Sequence, residues 1–366
     1  MKVTSTEIAR QLGISRSTVS RALSGYPHVE EGLRQKILEK VEELNYRPNQ
    51  AARSLAKGDE LLLGVVLFAE KHDRGGVLES YMEDIQRGVH FAAVQLQDYG
   101  LTVETVVTDI KRPQEQVDAL ENLMARGAKG IVLAPCDPEV VAPTVDKMSA
   151  QNVQTLLLNV DVPQSSRLCY VGSDYVQAGR LAAELLGQMM KGRGRVAPII
   201  FPDRGNMIPQ KLTGFREEIG RYPEIEILGP YSFSRTGEGV YEDTLKLIQS
   251  ESPDALFMSY GQMENVARAI EDAGMAEKIL LVGFDTSEEV LSYLDKRVIS
   301  AVIAQGPALQ GMLCVRLLYD FLVQGIRPRS SLVHAKLEII THQNCRYYRR
   351  DSLNVCTYAY RGGYGI

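Results

Sequence analysis

The sequence has few of the residues that build metal centres or disulfide frameworks. Its five cysteines are odd in number, lie far apart and form no CxxC pair: Cys136, Cys169, Cys314, Cys345 and Cys356. Its five histidines are scattered, without the spacing of metal ligands. These absences exclude a zinc site of ordinary spacing and a disulfide scaffold, and they favour reduced thiols. We therefore predict neither a metal nor a cofactor.

Common catalytic and membrane signatures are also missing. Neither GxSxG nor a P-loop pattern occurs, and Gly192-Arg193-Gly194 joins a helix to a strand, the reverse of the order in a dinucleotide-binding fingerprint. The longest apolar run, residues 61–69, is too short to span a bilayer. The amino terminus has no apolar signal-peptide core. We therefore expect a cytoplasmic protein that is not an enzyme.

Length and charge distribution indicate separate parts with different tasks. A chain of 366 residues exceeds what one hydrophobic core usually supports, so two or three domains are expected. The overall charge of -5 argues by itself against a nucleic-acid binder. However, residues 1–58 contain ten Lys or Arg and six Asp or Glu, a net of +4, which leaves -9 for the remainder. A basic end can neutralise phosphates while an acidic body resists non-specific association.

The basic end predicts two short helices joined by a turn. Thr4 and Glu7 have the spacing of a capping box at the start of the first helix. Gly13 can supply the left-handed conformation that ends it. Ser15 can cap a second helix, in which Val19 marks the buried face.

The outward face of the second helix is small, polar and basic. It carries Arg16, Ser17, Ser20 and Arg21. Such a face can enter a major groove, as in a helix-turn-helix, with its hydroxyl and guanidinium groups at base edges. The alternative is an amphipathic helical hairpin with no role in DNA binding. A third predicted helix at residues 31–44, ended by Arg47-Pro48, favours the DNA-binding interpretation.

A short segment, PNQAARSLAKG, follows that proline. The motifs SRSTVSRALSG and ELNYRPNQAARSLAKG resemble the amino-terminal end of LacI/GalR-type bacterial transcription regulators, and the resemblance extends from residue 3 to about residue 345. It implies a hinge that folds as a helix on operator DNA, with Leu55 wedged into the minor groove. The DNA contacts expected from the pattern and the resemblance together are Thr4, Ser15, Arg16, Ser17, Thr18, Ser20, Arg21, Asn49, Ala52, Arg53 and Leu55.

From residue 61 onward, apolar runs of strand length alternate with helical segments. Strands are predicted at residues 62–68, 101–107, 130–133, 154–158, 195–201, 225–228, 255–258, 278–282, 300–303 and 332–340. Continuous apolar strands joined by helices indicate parallel sheets covered on both faces. The strands exceed the needs of one doubly wound sheet, so we predict two lobes, with a crossing at residues 159–163. The resemblance implies a periplasmic-binding-protein-like body with three crossovers.

Polar residues follow several predicted strands, where a cleft between the lobes would bind a ligand. The candidates for effector binding are Asn159, Asp161, Lys211, Tyr260, Asp285 and Gln305. Carboxylates and amides beside a cation suit a polyol or sugar, although each residue has an alternative role as a helix cap or turn former. The resemblance implies effector contacts at Asp285 and Gln305. Asn159, Lys211 and Tyr260 differ from the residues usual in the family, which leaves the ligand's identity open.

These observations predict a helix-turn-helix head at residues 1–47 and a hinge helix and linker at 48–60. They place a two-lobed α/β effector-binding and dimerisation domain at 61–345, and a poorly ordered tail at 346–366. The predicted function is that of a DNA-binding transcriptional regulator, a repressor controlled by a carbohydrate-like effector. A homodimer on an inverted repeat is expected because one recognition helix reads one half-site. The alternative is a solute-binding module without a DNA-regulatory role.

Overall fold

The computed structural model describes residues 5–23, 29–44, 60–69, 77–202, 205–233 and 237–349. The chain divides between Glu60 and Leu61 into an amino-terminal head and a body. The head contains the helices α1 (Ser5–Leu12), α2 (Arg16–Leu23) and α3 (Glu31–Glu43). Ile8, Val19 and Ile37, one from each helix, are completely buried against one another. The helical spacing of apolar residues in the sequence therefore predicted the head correctly.

Two of the predicted helix signals have the expected geometry. Gly13 ends α1 with a φ of +67°, and the N–H of Ile14 donates to the carbonyl oxygen of Ala9 at 3.0 Å. Ser15 caps α2 because its Oγ accepts from the N–H of Thr18 at 3.0 Å.

The predicted capping box of α1 stays a prediction, because Thr4 lies outside the described residues. Its partner Glu7 accepts hydrogen bonds from Arg10 and Gln11 on the same helix.

The body alternates strands and helices throughout. Its first elements are β1 (Leu61–Ala69), α4 (Val77–Leu96), β2 (Leu101–Asp109), α5 (Gln114–Ala125), β3 (Gly130–Leu133), α6 (Pro138–Ala150), β4 (Gln154–Leu158) and β5 (Cys169–Gly172). Next come α7 (Tyr175–Met189), β6 (Arg193–Ile200), α8 (Met207–Ile219), β7 (Glu224–Ile227), β8 (Tyr231–Ser232), α9 (Gly237–Glu251) and β9 (Ala255–Met258). The last are α10 (Met263–Asp272), β10 (Leu280–Phe284), α11 (Glu288–Asp295), β11 (Ala301–Ala304), α12 (Pro307–Gln324), β12 (Leu332–His334) and β13 (Glu338–Ile340).

These strands form two sheets, one in each lobe. The first-lobe sheet has the order β12-β5-β4-β3-β1-β2 and is entirely parallel. The second-lobe sheet has the order β13-β11-β10-β9-β6-β7, with β8 beside β6 and only β13 antiparallel. Helices cover both sheets, so the central strands β3, β9 and β11 are buried along their whole length. Within the described residues, no helix is long and apolar enough to span a membrane.

The chain crosses between the lobes three times, at residues 173–174, 305–306 and 335–337. The crossing predicted at residues 159–163 is wrong, because the chain returns there to the same sheet as β5, which pairs with β4. The β5 strand is short and lacks a long apolar run, which explains why the sequence pattern missed it. The single strand predicted at residues 332–340 is also wrong, since β12 and β13 belong to different sheets.

The body also extends further than predicted. Residues 346–349 were assigned to a poorly ordered tail, yet Cys345–Tyr348 forms a 3-10 helix and Arg349 pairs with Asp295 and Glu288 of α11. The Sγ of Cys345 lies 3.1 Å from Oδ1 of Asp295. This correction moves the boundary to residue 349 at least, and residues 350–366 lie outside the described part of the chain.

One helix pair in each lobe is packed backbone to backbone. A Cβ added to Gly179 of α7 would lie 1.9 Å from the carbonyl oxygen of Lys211 on α8, and a Cβ on Gly214 would lie 1.9 Å from that of Val176. In the first lobe, the same reciprocal contact joins Gly88 of α4 to α12 and Gly311 of α12 to α4. Only glycine allows the two helices of each pair to approach this closely.

Candidate functional site

A cleft lies between the lobes, beyond the carboxyl ends of the strands. Its empty space, counted out into the open mouth, is about 460 Å³, and the part enclosed by protein is much smaller. Its lining residues are Phe68, Leu78, Tyr81, Asn159, Tyr175, Met207, Lys211, Tyr260, Gly261, Asp285 and Gln305. Both lobes contribute, so a molecule bound here would contact both.

Asp285 and Gln305 form the acceptor side of the cleft. Asp285 follows β10 with a φ of +63°, and Gln305 follows the neighbouring strand β11. Nε2 of Gln305 donates to Oδ2 of Asp285 at 2.6 Å. Oδ1 of Asp285 and Oε1 of Gln305 are buried and have no hydrogen-bond partner among the described residues. Two unsatisfied buried acceptors require donors from a ligand or from water.

Burial dominates the electrostatics of Asp285. It raises the pKa of this carboxyl from 3.8 to about 6, against the opposing effects of the Lys211 ammonium and the Gln305 hydrogen bond. At neutral pH the Asp285 carboxyl is mostly ionised, so the cleft holds a buried negative charge that has lost most of its water. A hydroxyl donor from a ligand would stabilise that charged form.

Lys211 places a buried cation in the cleft. It is 3% exposed, and its Nζ donates to the carbonyl oxygen of Ser259 at 3.0 Å. The Nζ also lies 3.8 Å from the ring centroid of Phe284 and 5.5 Å from that of Tyr175. These aromatic faces and the carbonyl stabilise the ammonium after it has lost its water.

Asn159 stands on the first-lobe side, fixed by tyrosines. Its φ is +65°, and its Oδ1 accepts from the hydroxyls of Tyr81 at 3.1 Å and Tyr175 at 2.9 Å. Its main-chain carbonyl oxygen accepts from Tyr170 at 3.1 Å. Burial raises the pKa of each of these three tyrosines well above 10, so the hydroxyls remain protonated donors at neutral pH. With Oδ1 occupied, the amide Nδ2 is the group that Asn159 can offer to a ligand.

The structure brings five of the six predicted effector residues to the cleft lining: Asn159, Lys211, Tyr260, Asp285 and Gln305. Asp161 is not among them. Its carboxylate forms a two-pronged ion pair with Arg167, with one bond of 2.8 Å, and also accepts from the N–H of Val162. Residues 159 and 161 would share a face of an extended chain, but the φ of +65° at Asn159 interrupts that pattern, and Asp161 pairs with Arg167 of the loop that leads to β5.

The sequence pattern did not identify two tyrosines, Tyr81 and Tyr175, whose hydroxyls fix the side chain of Asn159. Tyr81 lies within the apolar stripe of α4, where it was indistinguishable from a core residue. Tyr175 follows β5, the strand that was not predicted. Phe68 could have been found, because it ends the predicted strand 62–68 on the side of the sheet where ligands bind.

The head presents the polar face that the sequence predicted for α2. Ser17 and Arg21 are exposed, and Thr18 is half-buried. Oγ of Ser15 lies 2.7 Å from Oγ of Ser17 and 2.8 Å from Oγ1 of Thr18. The side chains of Arg16 and Ser20 lie outside the described part of the head, as do the remaining predicted DNA contacts: Thr4, Asn49, Ala52, Arg53 and Leu55.

Two family models match the chain in succession. The model of bacterial regulatory proteins of the lacI family matches residues 4–49, and the periplasmic binding protein domain matches residues 77–325. The sucrose operon repressor of Streptococcus mutans is 25% identical over 295 residues, 79% of this chain and 84% of the relative. The HTH-type transcriptional regulator AglR of Rhizobium meliloti is 25% identical over 354 residues, 92% of this chain and 93% of the relative.

Solved structures share the fold of the body. A sugar-binding protein of a sugar ABC transporter from Bacillus halodurans aligns with a TM-score of 0.70 and 24% identity, over 79% of this chain and all of the other. A putative LacI transcriptional regulator from Bacteroides fragilis aligns with a TM-score of 0.68 and 17% identity, over 80% of this chain and all of the other. With its head matched by the lacI-family model and its body by the periplasmic binding protein domain, the chain belongs to the lacI family of bacterial regulatory proteins.

Proposed function

We propose that this protein is a transcriptional repressor that binds an inverted-repeat operator as a homodimer and responds to a small sugar or polyol. The observation that carries the proposal is the pair of buried, unsatisfied acceptors on Asp285 and Gln305, in a chain that begins with a helix-turn-helix. Its site of action is the bacterial cytoplasm, where the operator DNA lies.

The chemistry of the cleft suits a polyhydroxylated ligand. Hydroxyl groups can donate to Oδ1 of Asp285 and Oε1 of Gln305, while the Nδ2 of Asn159 donates to a ligand oxygen on the opposite wall. Phe68 and Tyr260 add apolar surface for the C–H face of a sugar ring. The names of the sucrose operon repressor and of the Bacillus halodurans sugar-binding protein support the same class of ligand.

The DNA-reading half of the proposal depends on α2. Ser17 and Arg21 are exposed on this helix, so in a major groove they would be available to base edges and phosphates. Two copies are needed for two half-sites, which is the reason for proposing a homodimer. By resemblance, Leu55 of the hinge would enter the minor groove, with Asn49, Ala52 and Arg53 close to the DNA.

Effector and operator binding would be coupled through the hinge. The segment PNQAARSLAKG is too short to be a stable helix alone, so its folding on DNA can depend on the spacing of the two bodies in the dimer. Effector binding that changes lobe closure would change this spacing. Amide protection throughout residues 49–57 in the effector-bound, DNA-free protein would contradict this mechanism.

Fluorescence anisotropy tests the DNA-binding function. The purified protein is titrated against a labelled inverted repeat from its own promoter region and a scrambled duplex, at about 0.15 M salt. A preference of roughly a thousandfold for the repeat is expected. Sugars and polyols are then added to the complex, and the direction of the change distinguishes an inducer from a co-repressor. Equal binding to both duplexes with every ligand added would favour the solute-binding alternative.

A further inference from the structure

Tyr175 is in contact with both walls of the cleft. It is the first residue of α7, directly after the first crossover at residues 173–174. Its hydroxyl donates to Asn159, which belongs to the first lobe, at 2.9 Å from Oδ1 and 2.5 Å from the main-chain oxygen. Its ring lies 5.5 Å from the Nζ of Lys211, which belongs to the second lobe. One side chain at a crossover therefore joins the first-lobe amide to the second-lobe cation.

Tyr81 provides a natural comparison. Its hydroxyl donates to the same Oδ1 of Asn159 at 3.1 Å. Tyr81 lies on α4, so this bond stays within the first lobe, whereas Tyr170 also bonds Ser173 in the crossover and contacts the Tyr175 hydroxyl. Tyr81 and Tyr175 are thus two buried phenols on one asparagine, and of these two the second belongs to the helix that follows the crossover.

We propose that the Tyr175 hydroxyl is a latch between the lobes, which holds the present arrangement until rotation about residues 173–174 breaks its bonds to Asn159. Tyr175 is a positioning residue, because it acts through Asn159 and Lys211. The latch follows from the fold and from these contacts, and it does not depend on the ligand's chemical identity. In combination with the proposed function, the latch would set how often the cleft opens to admit an effector.

The bonds of the latch are buried, so their loss has a defined effect. Removing the hydroxyl leaves Oδ1 of Asn159 with Tyr81 and its main-chain oxygen with Tyr170, and no new unsatisfied acceptor is created. In Tyr175→Phe, the latched state loses the hydrogen bond to Asn159. The open state, in which that bond is already broken, keeps its free energy. The ratio of open to latched molecules should therefore rise by about three- to tenfold.

Distances between the lobes test the latch in the ligand-free full-length protein. Exposed Lys147 on α6 and Lys246 on α9 are replaced by a ketone-bearing amino acid for spin labelling, so that the native cysteines remain unmodified. Labelled protein is diluted with an excess of unlabelled protein, so that only distances within one chain contribute to the pulsed electron resonance signal. Tyr175→Phe is compared with Tyr81→Phe in this background, because Tyr81 bonds the same Oδ1 of Asn159 from within the first lobe.

The expected result is a population of longer distances in Tyr175→Phe and an unchanged distribution in Tyr81→Phe, although both variants lower the melting temperature. A wild-type distribution in Tyr175→Phe, or the same broadening in Tyr81→Phe, would overturn the proposal. Because no ligand or DNA is present, the result is independent of the anisotropy experiment. A failed search for an effector would count against the proposed function, but it would not bear on the proposal that Tyr175 is a latch.

Discussion

Nε2 of Gln305 donates to Oδ2 of Asp285 at 2.6 Å, and each of the two residues keeps one buried side-chain oxygen without a partner among the described residues. They lie at the ends of the adjacent strands β10 and β11, so the two unused oxygens face the same cleft. An unsatisfied buried acceptor costs free energy in the ligand-free protein. A ligand with two hydroxyl donors would remove that cost, which connects the stability of the body with its ability to bind.

Asp285→Asn should raise the melting temperature of the ligand-free protein at pH 7.5 and weaken sugar binding. Asparagine keeps the acceptor for Gln305 and tolerates the left-handed φ of +63°, but it carries no buried charge. Calorimetry with and without a sugar found in the screen measures both effects. A variant that lost stability at pH 7.5 would show that Lys211 stabilises the carboxylate more than burial destabilises it.

The stability difference between Asp285→Asn and wild type should depend on pH. Because the pKa of Asp285 is raised from 3.8 to about 6, the folded state binds a proton that the unfolded state releases between these values. The contribution of Asp285 to stability is therefore largest below about pH 4 and falls as the pH rises toward 6. Melting temperatures of the two proteins should converge between pH 7 and pH 4, and a constant offset would contradict the raised pKa.

Arg167→Ala should destabilise the body by about 3 kcal/mol, because it leaves a partly buried carboxylate without its partner. Asp161→Asn should have a smaller effect, since the amide can still accept from the N–H of Val162. Urea unfolding gives both values. If Asp161 contacts the effector, as the sequence predicted, Asp161→Asn would also weaken ligand binding; from its place in the structure we expect unchanged affinity.

Gly179→Ala should destabilise the second lobe by about 1–3 kcal/mol and weaken ligand binding, because the new methyl group would push α8 and Lys211 away from α7. Gly32→Ala is the matched control, since a Cβ there meets nothing within 4 Å. That control should leave the stability unchanged or raise it by about 0.5–1 kcal/mol. Equal effects at both positions would mean that helix propensity, not the close contact, decides the outcome.

Arg21→Ala should weaken operator binding without unfolding the head, because Arg21 is exposed on α2 while Val19 and Ala22 hold the core. If Arg21 contacts a phosphate, the slope of log affinity against log salt should fall by about 1 for each half-site. Arg126→Ala removes the same charge from the body and serves as the control. Anisotropy at several salt concentrations measures both variants, and an unchanged affinity for Arg21→Ala would remove it from the DNA contacts.

Much of the architecture could be predicted because its signals are local. Continuous apolar runs gave β3, β4 and β9 to the residue, and helical spacing gave the three helices of the head. Asp285 and Gln305 were predictable because parallel strands place their carboxyl ends at one edge of a sheet. The predicted roles of these residues remain predictions until a ligand is bound.

The remaining features depend on contacts that are distant in the sequence. The strand β5 is four residues long, follows the loop after its neighbour β4, and has its other neighbour, β12, more than 150 residues later, so its short run gives little local signal. Tyr81 lines the cleft and bonds Asn159, which lies 78 residues away in the chain. The turn of Asp161 toward Arg167 likewise depends on the loop between β4 and β5, whose path follows from the missed strand.

The reciprocal glycine contacts determine which kind of motion is open to the lobes. Sliding α8 along α7 would drive the carbonyl oxygen of Lys211 or Val176 into the neighbouring Cα, and α4 against α12 has the same restriction. Shear within these two helix pairs is therefore opposed, and each pair favours moving as one block. A displacement at the first crossover is then passed through α7 to Lys211 on α8, so rotation at the crossover can reshape the effector cleft.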